Sequence, residues 1–103
     1  GDQAFSIYFN WGATLYNAGR YAEAVERLRQ ATGREKPDPM AFYFLGECLF
    51  RTSPVRIEGG SQKIQPLPGT AEAFQRYLEL APAGPYAHQA ADYLKRLGAP
   101  VAR

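Results

Sequence analysis

The chain has 103 residues, of which 46% are apolar and 14% aromatic, and its 12 basic and 10 acidic side chains leave a net charge of +2. This length allows one domain, and the apolar fraction is sufficient for a hydrophobic core and excludes a disordered or low-complexity chain. The arginines are scattered among carboxylates and form no basic stripe, which argues against nucleic acid as a partner.

Five stretches with helical periodicity follow one another along the chain. In the first predicted helix, residues 4–17, the residues at i, i+3, i+4 and i+7 share one face: Tyr8, Trp11, Gly12 and Leu15. We expect Gly12 to let the second helix, residues 20–31, approach closely, because glycine has no side chain. On the solvent side of that second helix, Glu23 and Arg27 have the spacing of an i,i+4 ion pair.

Three further helices are predicted at residues 39–51, 70–81 and 85–97. Asp38 is expected to cap the third helix, with Pro39 at its first position, where the missing N–H costs nothing. Gly98 should end the fifth helix. We expect the outer side of that helix to be exposed to water; it carries His88, Gln89, Asp92, Lys95 and Arg96.

The third predicted helix repeats the first. The nine residues Tyr8–Tyr16 recur as Phe42–Phe50 at a constant offset of 34, which pairs Gly12 with Gly46. A fixed period of this size is typical of solenoid proteins, in which each unit must stack on a neighbour to bury its apolar face.

The motif within this period identifies a family resemblance. Tyr8-x2-Trp11-Gly12-x2-Leu15 and Phe42-x2-Leu45-Gly46-x2-Leu49 resemble the first helix of the tetratricopeptide repeat, and Ala24-x3-Leu28-x2-Ala31 with Pro37 resembles its second helix. The resemblance implies an all-α, tetratricopeptide-like α-solenoid with two antiparallel helical hairpins and a C-terminal capping helix. The corresponding boundaries are one domain over 4–98, repeat one over 4–37, repeat two over 38–82 with an insertion at 52–69, and the capping helix over 85–97.

The insertion is the least family-like segment. Residues 55–58 and 63–65 alternate between apolar and polar, and Gly59 and Gly60 between them tolerate a positive φ, which predicts a small β-hairpin. An irregular surface loop is the alternative. Because isolated two-stranded hairpins are marginally stable in water, a hairpin here would need an apolar contact with the helices. The candidates for it are Val55, Ile57, Ile64 and Leu67.

Few residues suggest catalysis. His88 and Asp92 lie one turn apart on an exposed helical face, which is more typical of a solvated pair than of a catalytic dyad. The chain has one histidine and one cysteine, too few for the usual metal sites, and we predict Cys48 to be a buried structural thiol. We therefore expect neither enzymatic activity nor a cofactor.

A second apolar stripe on the first and third helices is left over once the hairpin contacts are assigned. The family resemblance implies that this face lines a concave groove for an extended peptide or a helix of a partner. The predicted partner-binding residues are Phe9, Ala13, Tyr16, Asn17, Met40, Tyr43, Glu47, Phe50 and Arg51. Alternatively, the rings pack between successive helices. Phe9 and Ala13 replace the basic residue and the asparagine with which some family members hold a terminal carboxylate, so we expect an apolar or aromatic ligand segment instead.

The predicted function is therefore that of a non-catalytic protein–protein interaction module. The alternatives are a homo-oligomerisation or scaffold domain of a larger protein, with the aromatic face or the N-terminal side of the first helix against a second copy, and a small-molecule site or enzyme under the insertion. No apolar run approaches the roughly 18 residues of a membrane span, so we expect a soluble chain. Two repeats and a cap are fewer than the roughly three units that solenoids usually need, which leaves open whether the sequence is part of a longer array.

Overall fold

A computed structural model of the chain describes residues 2–101, and helices make up well over half of them. The elements, in chain order, are α1 (Asp2–Asn17), α2 (Tyr21–Ala31), α3 (Pro39–Arg51), β1 (Val55–Glu58), β2 (Ser61–Ile64), α4 (Thr70–Leu80) and α5 (Ala87–Leu97). The predicted helical fold is confirmed, and each predicted helix end lies within two residues of the observed one. The two strands are the departure from an all-α chain. Within residues 2–101, no helix combines the length and apolar character needed to cross a membrane.

Each helix packs on its neighbours in the chain, so that α1 contacts α2, α2 contacts α3, α3 contacts α4 and α4 contacts α5. The buried apolar residues form two clusters, and α3 contributes to both of them. The first cluster contains Leu15, Ala24, Leu28, Leu45, Cys48, Leu49 and Ala73. The second contains Tyr43, Phe74, Tyr77, Leu78, Ala90 and Leu94. Because α3 lies between the two clusters, its residues are the most deeply buried in the chain.

The helix ends follow the predicted chemistry. The side chain of Asp38 accepts a hydrogen bond of 2.9 Å from the backbone N–H of Met40 and so caps α3. Gly98 ends α5 in the left-handed conformation, with φ of 67°, which a glycine adopts without strain.

Two glycines allow close helix contacts, as predicted. A Cβ atom at Gly12 would lie 2.7 Å from two carbons of Leu28 on α2, and a Cβ at Gly46 would lie 2.8 Å from the Phe74 ring on α4. Real Cβ atoms do not approach other atoms this closely, so a larger residue at either position would force the Leu28 or Phe74 side chain, or the helix that carries it, to move.

Trp11 is an exception to the predicted packing face of the first helix, since 48% of it is exposed. The guanidinium carbon of Arg27 lies 4.0 Å from the centroid of its ring, an attractive cation–π geometry. The predicted pair between Glu23 and Arg27 is therefore wrong. Arg27 lies over the indole instead, and Glu23 accepts hydrogen bonds of 2.9 and 2.7 Å from Arg20.

The insertion forms the β-hairpin, not the irregular loop. Its strands are antiparallel, with Val55 opposite Ile64, and the turn between them is made by Gly59 and Gly60 with φ of 56° and 81°. Every strand residue is exposed, and of the four candidate residues the half-buried Leu67 packs against the helical core.

Ser53 holds the base of the hairpin against α3. Its hydroxyl donates a hydrogen bond of 2.6 Å to the carbonyl of Leu49 and accepts one of 3.0 Å from the backbone N–H of Leu67. A further backbone bond of 2.8 Å joins Gln65 to Pro54. The hairpin is thus fixed at its base while both of its faces contact solvent.

Candidate functional site

A buried carboxylate joins three helices. Glu47 of α3 is only 6% exposed, and its two oxygens accept hydrogen bonds from the hydroxyl of Tyr16 on α1 and, at 2.6 Å, from the hydroxyl of Tyr93 on α5. A guanidinium nitrogen of Arg51 lies 3.8 Å from the same carboxylate. The charge of Glu47 is thereby compensated inside the protein, as burial of a carboxylate requires.

The tyrosines around Glu47 are held in their protonated form. Burial, and then the hydrogen bond to Glu47, raise the pKa of the Tyr93 hydroxyl to about 12. The same two causes raise the pKa of Tyr16, and burial followed by the charge of Glu47 raises that of Tyr43. At neutral pH these phenols are therefore protonated, and those of Tyr16 and Tyr93 donate hydrogen bonds to Glu47.

Aromatic rings fill the space between the helices. Tyr43 is 3% exposed and stacks on Tyr86 at a centroid distance of 4.5 Å. Phe44 stacks on Tyr16 at 4.7 Å and lies 6.0 Å from Phe9. Most of the rings on α1 and α3 are thus used in the packing of the chain itself.

This packing corrects part of the predicted partner-binding face. Tyr43 and Glu47 were predicted to contact a partner, but both are buried. Tyr86, the residue before α5, stacks on Tyr43, and Tyr93 of α5 donates a hydrogen bond to Glu47. For Tyr43 and Glu47, the alternative that the stripe packs between helices is correct. Of the other predicted residues, Phe9, Ala13, Tyr16, Met40 and Phe50 are half-buried, and Asn17 and Arg51 are exposed.

One accessible concave region lies further along α3, between α5 and the β-hairpin. We call it the hairpin groove; it has a volume of about 520 Å³ and is lined by Phe50, Gln62, Lys63, Ile64, Pro66, Arg96 and Leu97. A smaller cleft of about 200 Å³ lies between α3 and α5 and is lined by Tyr43, Glu47, Gln89, Asp92, Tyr93 and Arg96. Arg96 lines both, so the two concavities adjoin at this side chain.

The lining of the hairpin groove combines apolar and positively charged residues. Phe50, Ile64 and Leu97 supply the apolar surface, and none of the lining residues is acidic. Among residues 2–101, neither Lys63 nor Arg96 has an ion-pair partner within 4.0 Å. The groove therefore offers two available cations next to apolar surface.

Of the groove residues, only Phe50 was among the predicted site residues. Lys63 was assigned to the inserted hairpin, and Arg96 to the solvent side of the last helix. Lys63 and Arg96 come close together because of the direction in which the hairpin leaves α3. Neither the 34-residue period nor the spacing of apolar residues predicts that direction. The inserted length was the one available signal, since loops placed beside a rigid scaffold often carry function.

The residues considered for catalysis do not converge. His88 and Asp92 are both exposed. Cys48 is fully buried, and burial, followed by the charge of Glu47, raises the pKa of its thiol to about 12, so the predicted structural thiol is confirmed. Within the described part of the chain, no three histidine, cysteine, aspartate or glutamate residues are grouped as a metal ion would require.

Comparisons of this chain with protein-family models, with curated proteins and with solved structures found no match. The resemblance to the tetratricopeptide repeat therefore stays a prediction, and it rests on the 34-residue repeat in the sequence.

Proposed function

We propose that the chain is a non-catalytic protein-interaction module of the tetratricopeptide type, which binds a segment of a partner protein in the hairpin groove. The observation that carries the proposal is a groove lined by two cations, Lys63 and Arg96, that have no ion-pair partner among the described residues and by the apolar Phe50, Ile64 and Leu97. Protein interfaces combine an apolar core with a polar rim and are enriched in Arg, and complementary charges select the partner.

The two glycine contacts support a tetratricopeptide-like arrangement. In the first helix pair Gly12 meets Leu28, and in the second Gly46 meets Phe74. Gly46 follows Gly12 by the repeat offset of 34, and Phe74 follows Leu28 by 34 plus the 12 residues added by the insertion. Equivalent positions thus make equivalent contacts, which supports the proposal that α1 with α2 and α3 with α4 are two copies of one helical hairpin and that α5 is a cap.

The lining of the groove indicates the chemistry of the partner. A segment with a large apolar residue would cover Phe50, Ile64 and Leu97, and an adjacent carboxylate would pair with Lys63 or Arg96. We therefore propose an acidic segment that contains an aliphatic or aromatic anchor. Catalysis is not part of the proposal, because the chain brings no nucleophile and base together in this groove.

Selection of peptides from a random displayed library on the immobilised chain tests the proposal. We expect enrichment of sequences in which Asp or Glu stands next to a large apolar residue. A synthetic peptide of the enriched sequence should bind about tenfold more weakly to Arg96→Glu, and its affinity should fall as salt is added.

Lys95→Glu is the matched control, since Lys95 is the exposed neighbour of Arg96 on α5 but lines neither concavity. Peptide affinity should change by less than about twofold in this variant, because the charge lies outside the groove. Failure of any sequence to be enriched, or equal loss in the two variants, would contradict the proposed function.

A further inference from the structure

The part of the β-hairpin that meets the groove is the outer edge of β2. Gln62, Lys63 and Ile64 of β2 all line the hairpin groove, whereas none of the four residues of β1 does. Successive residues of a strand point to opposite faces, so a groove formed against one face would not be lined by all three. The groove therefore runs along the backbone edge of β2, on the side away from β1.

The register of the hairpin shows which backbone groups point out of this edge. The N–H of Gln65 donates a hydrogen bond of 2.8 Å to the carbonyl of Pro54, at the base of the two strands. Hydrogen-bonded and non-hydrogen-bonded pairs alternate in an antiparallel ladder. The next pair, which contains Ile64, is therefore non-hydrogen-bonded, as is the pair that contains Gln62. Both residues direct their N–H and C=O away from β1 and along the groove.

These outward backbone groups are not used by the described part of the chain. Among residues 2–101, no residue outside the two strands forms a hydrogen bond with Gln62 or Ile64, and both of them are exposed. Further along the groove the edge ends at Pro66, which has no N–H to donate. The N–H and C=O of two residues are thus available to an added strand.

We propose that the partner segment binds in an extended conformation and adds to the hairpin as a third strand along β2, an inference that rests on the proposed function. In strand addition, backbone hydrogen bonds supply affinity and alternate side chains supply specificity. Consecutive residues of the segment then point to opposite faces. A carboxylate on the face of Lys63 and a large apolar residue on the face of Ile64 each meet a complementary side chain. An acidic residue next to an apolar one is therefore the order that an extended segment requires.

The charge of Lys63 argues against a second copy of the chain on this edge. Two β2 strands paired antiparallel through both Gln62 and Ile64 would place Lys63 of one copy directly opposite Lys63 of the other. Like charges in this arrangement are destabilising, and none of the groove residues is acidic and able to compensate them. Lysine on an exposed edge strand commonly prevents edge-to-edge association. An acidic segment, in contrast, supplies the opposite charge.

Amide hydrogen exchange, measured by NMR on the full 103-residue chain, tests the proposal. The probe is a synthetic peptide of the sequence that the library selection enriches. At saturating peptide, the amides of Gln62 and Ile64 should exchange at least about tenfold more slowly than in the free chain. The amides of Val55 and Ile57 are the internal control, because they point outward from the opposite edge of the hairpin and should exchange at an unchanged rate.

A proline variant removes one of the proposed donors. Gln62→Pro deletes an outward N–H of β2 without deleting a hydrogen bond of the ladder. The peptide should bind this variant about fivefold more weakly, as the loss of one hydrogen bond predicts. Ile57→Pro is the matched control, because Ile57 lies opposite Gln62 and its N–H points outward from β1. Peptide affinity should change by less than about twofold in this control.

The possible outcomes separate strand addition from groove binding as such. A peptide that binds while both β2 amides exchange as in the free chain, or that is weakened equally by the two proline variants, would overturn strand addition and leave the proposed groove binding intact. Protection of both amides without peptide, increasing with protein concentration, would assign the edge to a second copy and overturn the proposal. Enrichment of no peptide would contradict the proposed function and this inference together.

Discussion

Replacement of Gly46 by alanine tests whether α3 and α4 pack too closely at this position to admit a side chain. The added Cβ would lie 2.8, 2.9 and 3.0 Å from three carbons of the Phe74 ring. The ring has no space into which to move, because it is fully buried and stacks on Tyr93 at a centroid distance of 4.5 Å. Overpacking of this kind costs about 1–3 kcal/mol, whereas alanine in place of glycine in an open helix gains about 1 kcal/mol. We expect the free energy of unfolding to fall by up to about 2 kcal/mol, the difference between these two effects.

Urea and thermal denaturation measure this change, and each kcal/mol should lower the melting temperature by about 4–8 °C in a domain of this size. Gly33→Ala is the control, since Gly33 lies outside the helices and its Cβ would come no closer than 3.4 Å to the carbonyl oxygen of Gln30. Phe74→Leu introduced into the Gly46→Ala chain should cost less than Phe74→Leu alone, because the clash is relieved. If Gly46→Ala stabilises the protein instead, the contact is open and the reasoning is refuted.

Tyr93→Phe should lower the free energy of unfolding, measured by urea denaturation, by about 1.5–3 kcal/mol, because it removes a hydrogen bond to the charged Glu47. Tyr86→Phe is the control and should change this free energy little, because the Tyr86 hydroxyl has no hydrogen-bond partner among the described residues. Since the pKa of Tyr93 is raised from 10.0 to about 12, mainly by burial, the folded state keeps a proton that the unfolded state loses. Stability should therefore be complete below pH 10 and fall as the pH rises towards 12, and a titration of the melting temperature should show a smaller fall for Tyr93→Phe. Cys48 should react with a thiol reagent only as fast as the protein unfolds, because its thiol is fully buried; rapid labelling without denaturant would contradict its placement.

The helices could be predicted because their signals are local. Apolar residues at helical spacing, glycine and proline at the ends, and the Asp38 cap act over a few residues and do not depend on the rest of the chain. The glycine contacts could also be predicted, because Gly12 and Gly46 share one position in the repeat. In the insertion, the two adjacent glycines supplied the turn that the strands require.

The burial of Tyr43 and Glu47 could not be predicted from α1 and α3, the two helices that carry the repeated motif. It depends on Tyr93, which lies 46 residues after Glu47 and provides the hydrogen bond that makes burial of the carboxylate tolerable. Glu47 and Tyr93 occupy the same position in the repeat once the 12 inserted residues are counted, so extending the register to α5 would have indicated their proximity. The exposure of Trp11 has a similar origin, because the motif identifies a packing face without specifying whether a neighbour covers it.

The buried network around Glu47 connects the fold to the proposed groove. Both oxygens of Glu47 accept a hydrogen bond only when α1 and α5 lie beside α3, since one bond comes from Tyr16 and the other from Tyr93. A network of this kind contributes more to the relative position of helices than to net stability, because the cost of desolvating the carboxylate offsets much of the interaction energy. Arg96 follows Tyr93 by three residues and therefore projects from the same side of α5, with its guanidinium carbon 5.8 Å from the centroid of the Tyr93 ring. The hydrogen bond that holds α5 on α3 thus also positions Arg96 in the lining of the hairpin groove, so the position of this proposed binding residue follows from the packing of the core.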